Sequence, residues 1–275
     1  MKLRVSLPSA AMALLSFFLF TNCNKVFDYL KNHPGEKARL CQVKKLKLSG
    51  QPIQPEVNIV YNSEGNPLHM LVSNVPQFYP ASEYHFRYDN YNRLTDYFFN
   101  YYGNIGVLTW DRYSYPNKYT VIDSGWAYTG LITDAVPPHD PAKLNRLIIY
   151  SLDAAGRIIK TTQPSGDPNY PPFITNFTYD SHGNLVRPGV TYDNKVNAYQ
   201  TNKVWMFIFN DYSVNNPFSQ LYSPATVTIT SYNEAGLPLQ LNNSGSYAQV
   251  YLFNYSFTNM EIVYDCDWSQ LPGKY

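Results

Sequence analysis

One short pattern returns six times along this chain of 275 residues and constrains its fold more than any other feature. An aromatic or apolar residue is followed by Asn or Asp, two variable residues, Gly, and often an aliphatic soon after. It reads Tyr61-Asn62-Ser63-Glu64-Gly65-Asn66, then Phe99-Asn100-Tyr101-Tyr102-Gly103-Asn104-Ile105. It returns as Leu152-Asp153-Ala154-Ala155-Gly156-Arg157-Ile158, Tyr179-Asp180-Ser181-His182-Gly183-Asn184-Leu185 and Tyr232-Asn233-Glu234-Ala235-Gly236-Leu237. A variant carries Asn in the Gly place: Tyr88-Asp89-Asn90-Tyr91-Asn92-Arg93-Leu94. The Asn or Asp side chain can bond backbone N–H groups two or three residues on. The Gly or Asn takes the left-handed conformation that closes a type I turn with a G1 bulge. Each copy therefore predicts a β-hairpin.

The spacing extends the argument. Gly65 and Asn92 are 27 residues apart, as are Gly156 and Gly183, while Gly183 and Gly236 are 53 apart. A unit of two strands and two turns fits this period. The flanking segments Val57–Tyr61, Tyr84–Tyr88, Arg93–Phe99, Leu147–Ser151, Phe173–Tyr179, Thr226–Tyr232 and Gln249–Phe257 mix Tyr, Phe, Ile, Val and Thr with alternating polar residues. Such alternation reads as strands wet on one side. The expected fold is all-β: an antiparallel meander of hairpins forming a curved, open or partly closed sheet. Thr161–Pro172 reads as a long loop, and Pro137–Pro141 as a break that makes residue 140 a possible sub-domain boundary. The run Val204-Trp205-Met206-Phe207-Ile208-Phe209 is apolar on all sides and reads equally as a buried strand or a short helix.

Charge is uneven. Residues 24–50 carry seven Lys/Arg against Asp28 and Glu36, a net +5, whereas residues 51–275 carry twelve Lys/Arg against eighteen Asp/Glu, a net −6. The body holds no basic patch interleaved with aromatics, which argues against nucleic acid as a partner. Ahead of the basic stretch, Lys2 and Arg4 precede an apolar run from Leu7 to Phe20, too short for a typical spanning helix. The run ends at Phe20-Thr21-Asn22-Cys23, which resembles a bacterial lipoprotein signal. That resemblance implies a signal peptide over residues 1–22, acylation of Cys23, and a basic linker over residues 23–50 that leads to the first strand. Asn24 after the Cys implies the outer membrane. Phe20 and Asn22 depart from the usual signal, so ordinary signal-peptidase cleavage remains the alternative. Only Cys41 and Cys266 are then left. In an oxidising compartment they either pair, tying the first strand to the last, or stay as two buried thiols.

The repeated turn, of the Tyr-Asp-x-x-Gly-Arg type, resembles the YD repeats of Rhs-like proteins. Over roughly residues 50–260 the chain is similar to uncharacterised cell-envelope lipoproteins of Bacteroidota. The matches are Tyr192, Asp193, Lys195 and Asn197 in a Tyr-Asp-x-Lys-x-Asn segment, followed by Asn215 and Asn216. Ala198 stands where that family often has Pro. The resemblance implies an antiparallel β domain over residues 51–275 and carries no catalytic residues.

A search for chemistry finds little. His33, His69, His85, His139 and His182 have no paired metal spacing, and no nucleophile elbow, Walker loop or dinucleotide fingerprint is present. The acidic group Asp265-Cys266-Asp267 near Glu261 lacks the spacing and turn Gly of an EF-hand, and reads as a solvated terminal segment. No catalytic residue, metal ligand or cofactor is nominated. The candidate ligand platform is Trp126 with Tyr128, in the loop-like Asp123-Ser124-Gly125-Trp126-Ala127-Tyr128. The expectation is a noncatalytic binding or scaffold module with a glycan or an envelope protein as partner, attached to the membrane through its lipid. The alternatives are a component of an outer-membrane or secretion assembly, and a glycan-active hydrolase whose site the sequence does not reveal.

Overall fold

The chain folds as a succession of antiparallel strands, most of them joined by short turns. The computed structural model describes residues 39–49, 54–75, 81–102, 107–129, 144–217, 227–243, 251–253 and 255–267. Its main strands are β1 (Cys41–Ser49), β2 (Glu56–Tyr61), β3 (Pro67–Ser73), β4 (Ala81–Tyr88), β5 (Leu94–Tyr102), β6 (Val107–Asn117) and β7 (Thr120–Thr129). They continue as β8 (Leu144–Leu152), β9 (Ile158–Gln163) and β10 (Phe173–Asn176). The short β11 (Tyr192–Val196) and β12 (Asn215–Pro217) flank a helical insertion, followed by β13 (Val227–Tyr232) and β14 (Pro238–Asn243). A two-residue-per-strand hairpin, β15 (Tyr251–Leu252) and β16 (Tyr255–Ser256), precedes β17 (Asn259–Cys266).

Thirteen strands form one antiparallel sheet in the order β10-β9-β8-β7-β6-β5-β4-β3-β2-β1-β17-β14-β13. The sheet is open, with β10 and β13 at its edges. β7 and β8 lie on either side of the break near residue 140 and pair directly, from Thr120 opposite Ser151 to Trp126 opposite Leu144. β1 sits inside the sheet, and Cys41 faces Cys266 across the β1–β17 pair, joined by a disulfide.

Five of the six expected turns fall in the described residues, and they share one hydrogen-bond set. In the turn after β8, Asp153 Oδ1 accepts from the N–H groups of Ala155 and Arg157, both at 2.9 Å. Gly156 N–H donates to Asp153 O, and Asp153 N–H to Arg157 O. Asn62, Asp89, Asp180 and Asn233 repeat this arrangement. The side chain thus bonds residues two and four further on, rather than two or three, because the bulge residue turns the fourth N–H back toward it. Gly156 has φ +79°, and Asn92 adopts φ +57° in the same place. The copy at residues 99–105 departs from the expectation: Asn100 and Tyr101 lie inside β5, opposite Leu108 and Val107, so Asn100 does not head a turn there, and Gly103 lies outside the described residues.

The apolar run after residue 203 is a helix. A 3-10 turn over Ala198–Thr201 leads into α1 (Lys203–Ile208). Asn197 and Asn202 cap the two segments, accepting from Tyr199 N–H and Val204 N–H. These caps stop the run from joining a sheet. Trp205 is fully buried against Phe86 and Phe253, and Phe207 packs on Tyr113 and Tyr150. The insertion therefore covers the sheet face carrying Tyr84, Phe86, Tyr113 and Tyr150, and this is the core. On the opposite face, Lys45 pairs with Glu56 and Lys47 with Glu261.

Candidate functional site

The five described turns and the disulfide lie at one end of the sheet, because a meander returns alternate turns to the same side. There the insertion leans over the turns. Asn202 donates from Nδ2 to Gly65 O at 2.8 Å, fixing the start of α1 beside the first turn. Residues of the Tyr192–Asn197 segment and the Asn215-Asn216 pair make the remaining clamps. Asp193 accepts from the backbone and the side chain of Asn216 and from Tyr232 Oη. Asn215 exchanges hydrogen bonds with Asn184 in the fourth turn and donates to Lys195 O. Tyr192 Oη donates to Leu185 O at 2.6 Å. These residues hold the insertion to the turns, a structural duty that their residue types alone do not reveal.

Between the turn end and α1 lies a cleft of about 470 Å³, within the size range of small-molecule sites. Its apolar walls include Leu94, Tyr115, Leu152, Val204, Met206 and Phe207. Arg39, Arg93, Arg157 and Lys203 also line it. Arg93 is gripped by Asp89 at 2.7 Å and lies 4.5 Å over the Tyr115 ring. Arg157 repeats this with Asp153 at 2.8 Å and the Tyr179 ring at 4.3 Å. Both carboxyls sit below the ordinary range. A burial penalty is outweighed by hydrogen bonds from the backbone and the guanidinium of the arginine. A second hollow of about 450 Å³ adjoins the first and shares Arg39, Asn92 and Lys203 with it.

The nominated platform is arranged differently from the loop expected. Trp126 lies inside β7, where cross-strand register places His69, His85, Phe98, Trp110, Trp126 and Leu144 in one row across six strands. Trp126 stacks on Trp110 with ring centroids 4.7 Å apart, and Trp110 stacks on Phe98. Trp126 is half-buried, Phe98 and Trp110 are buried, and the Tyr128 side chain lies outside the described residues. The row is on the face opposite α1. Gly125 made the segment read as a loop; in the strand it has another purpose. A Cβ there would stand 2.9 Å from Asp111 Oδ1 and 3.3 Å from Arg146 Nε. The bare glycine lets Arg146 cross β7 to reach Asp111 at 2.7 Å and Asp123 at 3.1 Å.

That cluster was not nominated from sequence, since nothing in the spacing of residues 111, 123 and 146 brings them together before the register is known. Burial, then the neighbouring Asp111, pushes the Asp123 carboxyl up to about 7. Asp123 Oδ1 and Arg146 Nε are buried without a hydrogen-bond partner. On the other face, His69 and His85 share a 2.7 Å Nδ1–Nδ1 contact, with Glu83 3.7 Å from His85. Burial lowers both imidazoles. His182 stands in an exposed turn. Asp265 faces Lys44, and among the described residues no three His, Cys, Asp or Glu side chains converge on a metal position. Cys23 lies outside the described residues. Among those residues, no helix is long and apolar enough to cross a membrane. No protein-family model matches the chain, and a search of curated proteins finds no significant match.

Proposed function

We propose that this chain is a noncatalytic binding module of the bacterial cell envelope, held at the outer membrane by a lipid on Cys23. The observation that carries the binding reading is the cleft at the turn end, walled by apolar side chains and framed by arginines that the turns themselves hold in place. The likeness of the turns to YD repeats, and of the clamp residues to those of Bacteroidota envelope lipoproteins, supports a scaffold that presents such a cleft. A glycan or an envelope protein is the proposed partner. The address is tested by labelling cells with a fatty-acid analogue: the wild-type chain carries the label and fractionates with outer membranes, and Cys23→Ala does neither. Label on Cys23→Ala, or a wild-type chain free in the periplasm, refutes the anchor.

A second reading, assembly through a sheet edge, is favoured by β10. Phe173 and Ile174 on this edge strand are 70% and 47% exposed, and its outer side has no partner strand among the described residues. Photo-crosslinking from position 173 to one envelope protein, with none from a cleft position, favours assembly over binding in the cleft.

A further inference from the structure

The cleft has two chemistries. Its floor is apolar, built by Leu94, Val121, Leu152, Val204, Met206 and Phe207. Four cationic side chains line it as well, and among the described residues no carboxylate does. Asp89 and Asp153 grip Arg93 and Arg157 from outside the lining, and Tyr115 and Tyr179 support their planes. These guanidiniums are therefore already placed, and a ligand need not order them. Lys203 is exposed at the start of α1.

Each simple ligand class leaves part of this lining unmatched. A cation meets the exposed Lys203 and the N–H edges of guanidiniums, two of them already paired with Asp89 and Asp153, and finds no acceptor in the described lining. A neutral polyol covers apolar floor with hydroxyls that lose their water. A hydrocarbon fills the floor but desolvates the cations without replacing their hydration. An apolar group with an anionic head satisfies both parts, the head taking charge-assisted hydrogen bonds at the rim.

We propose that the cleft binds an amphipathic anion, a carboxylate or phosphate monoester attached to an apolar tail. This inference rests on the binding-module reading and assigns the cleft itself to this ligand class, so a glycan or envelope-protein partner meets the chain outside the cleft. The test is displacement of the fluorescent probe anilinonaphthalene sulfonate from the purified full chain by laurate, lauryl phosphate and dodecanol, which share one tail and differ in the head. Laurate and lauryl phosphate are expected to displace the probe, with dodecanol weaker by roughly tenfold. The stronger of the two anions identifies the head. Lys203→Gln weakens both anions about two- to fivefold and the alcohol less. Ala155→Trp changes an exposed turn position on the cleft wall, so it blocks the site without disturbing the core, and it abolishes displacement by all three. Dodecanol equal to laurate, with Ala155→Trp still blocking, overturns the anionic class and leaves the cleft as a binding site. Displacement unaffected by Ala155→Trp, or no displacement at all, overturns the cleft itself.

Discussion

At the scale of single residues, two groups make opposite demands on the backbone and on protonation. Gly156 and Asn92 occupy equivalent turn positions with φ of +79° and +57°. A Cβ at Gly156 meets nothing within 4 Å, so any cost of Gly156→Ala is conformational. It is expected at about 1–2 kcal/mol, the penalty of left-handed backbone for an L side chain. Asn92→Gly should change stability by less than about 0.5 kcal/mol, since Asn tolerates that region. Urea denaturation of the two variants checks this, and equal losses would refute it. Asp123 is the protonation case. Its folded pKa is raised to about 7 by burial and by Asp111. A raised carboxyl contributes stability that is fully present below the unfolded pKa, near 4, and lost as pH rises through 7. The depressed His69 and His85 act the other way: their contribution is present above the unfolded imidazole value and lost as pH falls through the folded one. Asp123→Asn should therefore leave stability at about pH 3 nearly unchanged and raise it at about pH 8, by an amount on the order of 2 kcal/mol or more. Urea midpoints at the two pH values check it; a variant that loses stability at both contradicts it.

At the scale of elements, tyrosines join one hairpin to the next. Tyr88 Oη donates to Pro67 O at 2.6 Å, Tyr115 to Leu94 O at 2.6 Å, and Tyr179 to Ile158 O at 2.9 Å, each pair 21 residues apart. Tyr192 and Tyr264 do the same for Leu185 and Pro238. In every case the acceptor is the second residue after the left-handed turn position. Tyr88→Phe keeps the ring and leaves the part-buried carbonyl of Pro67 without this donor. The expected cost is about 1–2 kcal/mol in chemical denaturation, while Tyr170→Phe, whose ring is 68% exposed, costs almost nothing. If the two variants cost the same, the tyrosine hydroxyls do not link the hairpins. The turns were legible in sequence because their chemistry is local: an Asx acceptor and a left-handed residue three positions apart. The tyrosine links were hidden because their acceptors are backbone carbonyls, which every residue possesses. Trp126 misled for a related reason. Gly125 marks a loop by local rules, but here it serves a side chain from another strand, and only register reveals that. The cleft was illegible in the same way. Its arginines were seen as part of the turns, whereas their convergence on α1 depends on how the insertion crosses the sheet.

At the scale of the whole molecule, the sheet closes its chain in the middle rather than at an edge. β1 starts the meander that runs out to β10, and β17 starts the wing that runs through β14 to β13. The seam between the wings is the β1–β17 pair, from Cys41 opposite Cys266 to Ser49 opposite Asn259. Its two strands are 225 residues apart at the disulfide, so forming this seam costs more loop entropy than any local hairpin. The crosslink removes that cost by restricting the unfolded chain, with a ceiling of roughly 5 kcal/mol on the chain-entropy model. The seam also has its own ladder and a buried side built from Val43, Leu46, Met260 and Ile262. Removing the crosslink should therefore destabilise the fold without dissolving the native sheet. The double variant Cys41→Ala, Cys266→Ala is expected to keep its β-sheet circular dichroism at room temperature and to unfold at a lower urea concentration, with the loss at or below that ceiling. Intact mass should show the wild-type chain gaining two hydrogens on reduction. Two free thiols in the oxidised protein, or a double variant as stable as the wild type, would show that pairing and packing hold the wings together unaided.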